Sequence, residues 1–450
     1  MNARRCTRAG QRSRTAAVAL LLALGGLLNA QEAPTYTEAE ADSIREAQRN
    51  FRSGQSRAWE PVLSAPGKLI FLPIKLVGET IEATTEVISE RQVIPKTIDL
   101  LTSEDGRKSL FPVYKSQTGA GLKYSHKRFF GTQGRFSATA TAWLRNRQRY
   151  QMRFRNMPVA GGMVGDLIVR YQFLADEEFY GIGNSATESD RLNYAHEDMM
   201  AEAGFGLNIG ESVETRLVVG IERNNILPGR ATTSPSIETV YQNGFADPLD
   251  PGRVPLTGFQ SGVQFVTYGL EVRRDSRNHP GQPTAGRVSL LRAAVFQEAG
   301  GKGDDRFGFY RLTLDVAQNL HLFYNRVLQV RVAGEMARGF DGRTIPFYYL
   351  SEIGRQETVR GFRRGRFRDR DMVMGSLEYR YPVWEIADVF LFADGGQVAS
   401  SITDEFDFGE FQFGYGGGVR VWGAGGVYSS LAVANSDDGL RLYFGLNQEL

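Results

Sequence analysis

The sequence predicts an all-β protein: a transmembrane antiparallel β-barrel of about sixteen strands behind a short helical N-terminal segment. Three observations carry this. From about Ser109 onward, apolar and polar residues alternate with a period of two. The alternating runs reach about ten residues or more, the length a tilted strand needs to cross a bilayer, whereas soluble strands average about five or six. Short and long connections alternate along the chain, as they do when strands run up and down between two rims.

The first thirty residues read as a secretory leader. Arg4, Arg5, Arg8, Arg12 and Arg14 precede an apolar run from Ala16 to Leu28, and the small residues Asn29-Ala30 come before polar Gln31. The apolar run is too short to span a bilayer as a helix, so cleavage after Ala30 is expected. Taking the five leader arginines from 53 Lys+Arg leaves 48 against 51 Asp+Glu, so the basic balance belongs to the leader and nucleic-acid binding is not expected. The single cysteine, Cys6, lies in the leader, and the mature chain needs no disulfide. No later stretch has the roughly eighteen consecutive apolar residues of a membrane helix, which leaves a soluble exported protein or a membrane barrel.

Residues 31–108 differ in character from the rest of the mature chain. Glu38 to Phe51 reads as a short polar helix, and Lys68 to Arg91 as an amphipathic helix interrupted near Pro73. That segment is expected to lie in the periplasm and to pack on or inside the barrel. Its polar face mixes Glu with Lys, which disfavours a helix lying on the membrane surface.

The alternation then sets in. Phe136, Ala138, Ala140, Ala142 and Leu144 oppose Ser137, Thr139 and Thr141; Leu217, Val219 and Ile221 oppose Arg216 and Glu222; Leu312, Leu314 and Val316 oppose Arg311, Thr313 and Asp315. A single such run would also suit a soluble sandwich, but aromatics near the run ends, at Phe129-Phe130, Phe179-Tyr180, Tyr348-Tyr349 and Tyr379 to Tyr381, suggest interfacial girdles. Strands are expected near 119–128, 135–145, 149–158, 163–175, 196–210, 211–224, 260–274, 286–299, 306–320, 326–339, 372–384, 388–399, 410–423, 427–435 and 440–448. An even count requires one more, and Ser109 to Lys115 supplies it. The long connections at 176–195, 225–258 and 340–371 then share one rim.

The third of these connections holds Val359-Arg360-Gly361-Phe362, with six arginines between Glu357 and Asp371. On composition alone it is a solvated charged loop. The motif, however, resembles the Val-Arg-Gly-Phe of the sixth extracellular loop in the Omp85 superfamily (bacterial surface antigen type) of outer-membrane barrels that insert or translocate polypeptides. Phe179-Tyr180-Gly181-Ile182-Gly183-Asn184 resembles a stretch of members without an N-terminal domain. Asp275-Ser276-Arg277 with Pro283 and Gly286 is similar to the superfamily's Asp-x-Arg-Asp turn, with Asn278 in place of the second acid. Phe392-Ala393-Asp394-Gly395-Gly396 and Glu378 fit the acidic positions on strands after the loop. Near the C-terminus, Asp437-x-Gly439-x-x-Leu442-x-Phe444 fits the signal by which outer-membrane barrels are recognised for assembly, ending six residues before Leu450; an ordinary last strand after a turn glycine would read the same.

The resemblance covers 109–450 and implies a barrel in the bacterial outer membrane, in contact with its lipids, assembled by the outer-membrane insertion machinery and acting on client polypeptides. It implies a loop folded into the lumen and latched by Arg360, with Gly361 and Phe362, against Glu378 and Asp394. No POTRA module is expected in 31–108, which leaves a structural or lipid-handling barrel, or a diffusion pore, as alternatives. No catalytic residue, metal ligand or cofactor is expected. His126, His196, His279 and His321 are widely spaced and form no metal-ligand pattern, and no Gly-x-Ser-x-Gly elbow exists; a lumenal or interfacial Ser-His lipase using His196 is the remote alternative. Gly414, Gly416, Gly417 and Gly418 fall within one strand and are expected to mark a bend.

Overall fold

The structure, a computed structural model, describes residues 101–115, 119–143, 147–243, 254–259, 261–279, 282–299, 307–323, 326–384, 387–423 and 426–448. The expected leader and both expected helices lie outside the described residues.

Sixteen strands close into one antiparallel barrel. In chain order these are β1 (Lys108–Lys115), β2 (Gly119–Lys127), β3 (Arg135–Trp143), β4 (Arg147–Pro158), β5 (Val164–Phe179), β6 (Leu192–Ile209) and β7 (Val213–Pro228). After a loop holding the short parallel pair β8 (Tyr241–Asn243) and β9 (Val254–Leu256) come β10 (Ser261–Asp275), β11 (Gly286–Glu298), β12 (Gly308–His321) and β13 (Val327–Gly339). The loop 340–370 contains β14 (Ser351–Ile353) paired antiparallel with β15 (Phe367–Asp369). It is followed by β16 (Asp371–Trp384), β17 (Ala387–Ala399), β18 (Gln412–Gly423), β19 (Gly426–Ser436) and β20 (Gly439–Gln448).

Period two sorts each strand into a lipid face and a lumen face. On β7, Leu217, Val219 and Ile221 are 65%, 56% and 62% exposed on the outside, whereas Arg216 and Val218 between them are buried inside. Apolar residues outside and charges inside are the reverse of a soluble sandwich, and they identify the solvent around the barrel as hydrocarbon. Among the described residues no helix is long and apolar enough to cross a membrane; the strands do the crossing.

All sixteen expected barrel strands are present, with bounds that depart from expectation mainly at β5, β6 and β7. These run further than the alternation suggests, because Phe179, Leu192, Tyr194 and Ile226 bury themselves against the long loops. For the same reason the expected girdle role of two aromatic pairs does not hold. Phe179 and Tyr180 are buried at that end, and Phe179, Phe347 and Tyr348 belong to one cluster inside it. Phe130, 81% exposed in the β2–β3 turn, does stand at a rim.

Closure is uneven around the ring. Among the described residues every other neighbouring pair of barrel strands shares at least eight register positions, whereas β1 and β20 share one, Tyr114 with Leu446. The rings of Tyr114 and Phe444 add an aromatic contact across this seam, with centroids 5.3 Å apart.

Candidate functional site

The loop 340–370 turns back into the barrel. Asp341 and Gly342, both at positive φ, reverse the chain after β13, and Pro346 starts a helical turn that carries Phe347 to Tyr349. Phe347 stacks edge-on against Phe179 and Tyr194, while Tyr349 packs among Phe265, Phe296 and Phe309 of β10 to β12. Beyond the β14–β15 pair, Ile353, Val359, Phe362 and Phe367 form one buried cluster with Ala333, Met372, Met374 and Val398 of the wall. Each large apolar side chain so buried contributes roughly 1.5–3 kcal/mol, enough together to hold a polar loop inside a wet lumen.

This packing brings the expected site residues together. Arg360 donates from Nε to Asp394 Oδ2 at 2.6 Å, from a terminal nitrogen to Oδ1 at 2.8 Å, and from its backbone N–H to Oδ2 at 3.1 Å. Its other terminal nitrogen donates to Glu378 Oε2 at 3.1 Å, and the guanidinium lies 3.5 Å from the centroid of the Phe392 ring. A planar fork over a ring, facing two carboxylates, is geometry that arginine satisfies and lysine does not. The partners are not equivalent. Glu378 also accepts from Arg420 at 2.7 and 3.2 Å, whereas Asp394 has besides Arg360 the hydroxyl of Ser376 at 2.6 Å. Asp394 is fully buried.

Gly361 and Phe362 fix the backbone around this contact. Gly361 has φ +103, donates to Tyr443 Oη at 2.9 Å, and its carbonyl accepts from Ser436 and Arg441 of the last strands. Phe362 stands in the apolar cluster, edge-on to Phe367. Gly414 has a role the sequence did not disclose: a Cβ there would fall 1.7 Å from the Arg360 carbonyl, so this strand glycine admits the loop against the wall.

Of the other loop arginines, Arg364 and Arg368 face the opposite wall, whereas Arg366 reaches the turn between β19 and β20. Arg364 donates to Glu177 at 2.8 Å, Arg368 to Glu352 at 2.6 Å and to Tyr194 Oη at 3.3 Å, and Arg366 pairs with Asp438 at 3.1 Å. Burial alone would raise the Glu352 carboxyl, but Arg355, Arg368 and Arg364 outweigh it and bring it down to about 2. Strand β5, which carries Glu177, and β17, which carries Asp394, stand eight places apart in the sixteen-membered ring. The loop is therefore a crossbar between opposite walls.

Other motif residues lie at both ends of the barrel, those at Gly181 to Asn184 beside the loop. Gly181 and Gly183 adopt positive φ, the Gly183 N–H donates to the Arg368 carbonyl at 2.8 Å, and the Asn184 carboxamide accepts from the Val398 N–H at 3.3 Å. At the opposite rim Arg277 grips Asp275 with two bonds of 2.9 and 2.7 Å. Asn278 Oδ1 accepts from the backbone of Thr284 and Ala285, the Pro283 carbonyl accepts from Arg380 at 2.5 Å, and Gly286 sits at φ +94. His196 is engaged by Asn224 Oδ1 at 2.9 Å. Among the described residues no three metal-binding side chains converge.

A closed sixteen-strand barrel whose lumen holds an arginine-bearing loop defines a class of outer-membrane protein, and comparison with known proteins gives the family. Residues 114–449 match the Omp85 superfamily domain, and the chain belongs to that superfamily and to the bacterial outer membrane. Among solved structures it is similar to BamA from Haemophilus ducreyi lacking POTRA domains 1-3, at 16% identity and TM-score 0.53, covering 76% of this chain and 70% of that one. CdiB from Acinetobacter baumannii (11% identity, TM-score 0.45, 76% and 59% covered) and CdiB from Escherichia coli (12%, 0.46, 75% and 61%) also align. No curated protein sequence matches the chain.

Proposed function

We propose that this barrel inserts, assembles or translocates polypeptides at the outer membrane, using the β1–β20 seam, with the loop 340–370 latched in the lumen by Arg360. The seam carries the reading. Among the described residues this strand pair shares the fewest register positions of any neighbouring pair in the barrel, and parting it would bare the edge of β1, whose unpaired N–H and C=O groups can template an incoming strand. Members of the superfamily act on polypeptides without catalysing a covalent reaction, in keeping with a lumen built from ion pairs. A diffusion pore is the poorer reading, because the loop crosses the lumen from β5 to β17. Among the described residues, which begin at 101, there is no POTRA module.

The test is a reversible lock. Cysteines at Tyr114 and Leu446, in a Cys6→Ser background, place the pair across the seam with no competing thiol. In vesicles containing the protein, the assembly of a urea-denatured eight-stranded barrel is followed by its heat-modifiable gel mobility. Assembly should be lost on oxidation and return with reductant; full activity in the locked barrel would sink the seam reading.

A further inference from the structure

The two strand edges that meet at the seam are unequal. On β1, the edge turned away from β2 is largely engaged by the chain itself. Leu101 to Ser103 run back along it: the Ser103 N–H donates to the Lys108 carbonyl and the Leu110 N–H to the Leu101 carbonyl, both at 2.9 Å. Backbone groups of a strand alternate between its two edges, so those of Lys108, Leu110, Pro112 and Tyr114 all point to the seam. Pro112 has no N–H to offer there.

The edge of β20 reaches further than β1 can follow. Leu446 stands opposite Tyr114, and each step back along β20 is one step forward along β1, so Arg441, Leu440 and Gly439 fall opposite positions 119, 120 and 121. Those positions are Gly119, Ala120 and Gly121 of β2, because β1 ends at Lys115 and turns back; Ala120 already pairs with Ala142 and Gly121 with Thr141. Since the Tyr114 backbone points at Leu446, the same alternation turns the N–H and C=O of Leu440, Leu442 and Phe444 to the seam side, and among the described residues no strand pairs with them there. Their side chains face lipid, Leu440 and Leu442 being 74% and 69% exposed. The inward neighbours Arg441 and Tyr443 are bonded to Gly361, so the loop holds this edge in place.

We propose that the edge of β20 from Leu440 to Phe444 is the first docking site for a client, and that its occupant is an extended strand with apolar side chains outward and polar ones inward. The inference rests on the polypeptide-handling role proposed above and says where the client pairs before the seam opens. Hydrocarbon cannot satisfy backbone N–H and C=O groups, whereas a strand added to the edge satisfies its own and those of β20 together. Cross-strand neighbours set the pattern of the occupant: Leu440, Leu442 and Phe444 line the lipid side of the site, Arg441 and Tyr443 the lumen side. The site is continuous with the seam, where Leu446 meets β1.

The full chain in vesicles carries the photocrosslinker benzoylphenylalanine in place of Leu440, or, as control, in place of Leu217, a lipid-facing residue of β7 with strands paired on both sides. The urea-denatured eight-stranded barrel is added and the adduct is quantified after irradiation. Adduct should form at least about fivefold more at 440 than at 217, with the seam locked by the Tyr114→Cys, Leu446→Cys disulfide as well as with it reduced. Leu442→Pro, which removes one seam-side donor and leaves the ladder to β19 its bonds, should cut the adduct at 440 about fivefold with heat-modifiable mobility retained, while Leu442→Ala, which keeps the donor, should not. Equal adduct at 440 and 217 overturns the docking edge without reference to the proline variant. So does adduct at 440 only to a second copy of the chain, or only after reduction of the lock. A locked barrel that captures the client at 440 and also assembles it would overturn the seam reading and leave the docking edge standing; assembly on reduction without capture at 440 would do the opposite.

Discussion

Arg360 faces two carboxylates whose fates on its removal differ. Glu378 keeps Arg420 in either case, but Asp394 would retain only neutral donors, the Ser376 hydroxyl and the backbone N–H of residue 360, inside a fully buried site. Leaving a buried charge unpartnered costs about 3–5 kcal/mol, against about 0–1 for an exposed ion pair. Arg360→Ala should therefore destabilise the loop by about 3 kcal/mol, and Asp394→Asn by less, since Arg360 then still has Glu378. The double variant should be little worse than Arg360→Ala, because both changes remove one interaction. Thermal unfolding and protease access to 357–371 measure all three, and strictly additive effects would make Arg360 an ordinary loop arginine.

At the scale of elements, the loop is held by carboxylates that must stay ionised, and this sets its response to acid. Glu352, outside the membrane-spanning strands, has its carboxyl brought from 4.5 to about 2 by the arginines around it. A depressed carboxyl stabilises the folded loop fully above the unfolded value and loses that contribution as pH falls through the folded one. Protease access to the loop should be flat from pH 7 to about 5, then rise between about 4.5 and 2, and Glu352→Gln should remove that part of the acid response. A loop equally protected at pH 7 and pH 2.5 would contradict the assignment.

The barrel strands were legible because lipid outside and charge inside impose a strict period of two, as in Leu217 to Ile221. The parity that points Glu378 away from Leu377 and Tyr379 was legible for the same reason. What the alternation could not supply was distance across the lumen: parity orients a strand residue such as Glu378, but it does not say that Arg364 of the loop meets Glu177, nearly two hundred residues earlier. Asp176, Glu177 and Glu178 read as a polar connection, yet they sit on an extension of β5 whose register shifts between Leu174 and Glu177 against β6. Gly414 read as a bend, because nothing local discloses that the Arg360 carbonyl occupies the space of its missing side chain.

For the whole molecule, the crossbar and the seam pull in different directions. The crossbar ties β17 to β5, and through Gly361 it also ties the last two strands, since Ser436, Arg441 and Tyr443 all bond that residue. The side of the seam formed by β20 is thus anchored to the loop, while β1, among the described residues, is held by its neighbour β2 and by one register position with β20. Removing the loop should have two separable effects. Deletion of residues 341–370 should open the lumen, giving a large, steady single-channel conductance in planar bilayers where the intact chain gives small or flickering currents, because the walls it bridges enclose a charged, water-accessible interior. It should also loosen β20, so that a Tyr114→Cys, Leu446→Cys pair oxidises less completely in the deletion variant than in the full loop background. A barrel that conducts equally with and without the loop would be a diffusion pore, and the crossbar would then be a passive filling of the lumen rather than the part that couples it to the seam.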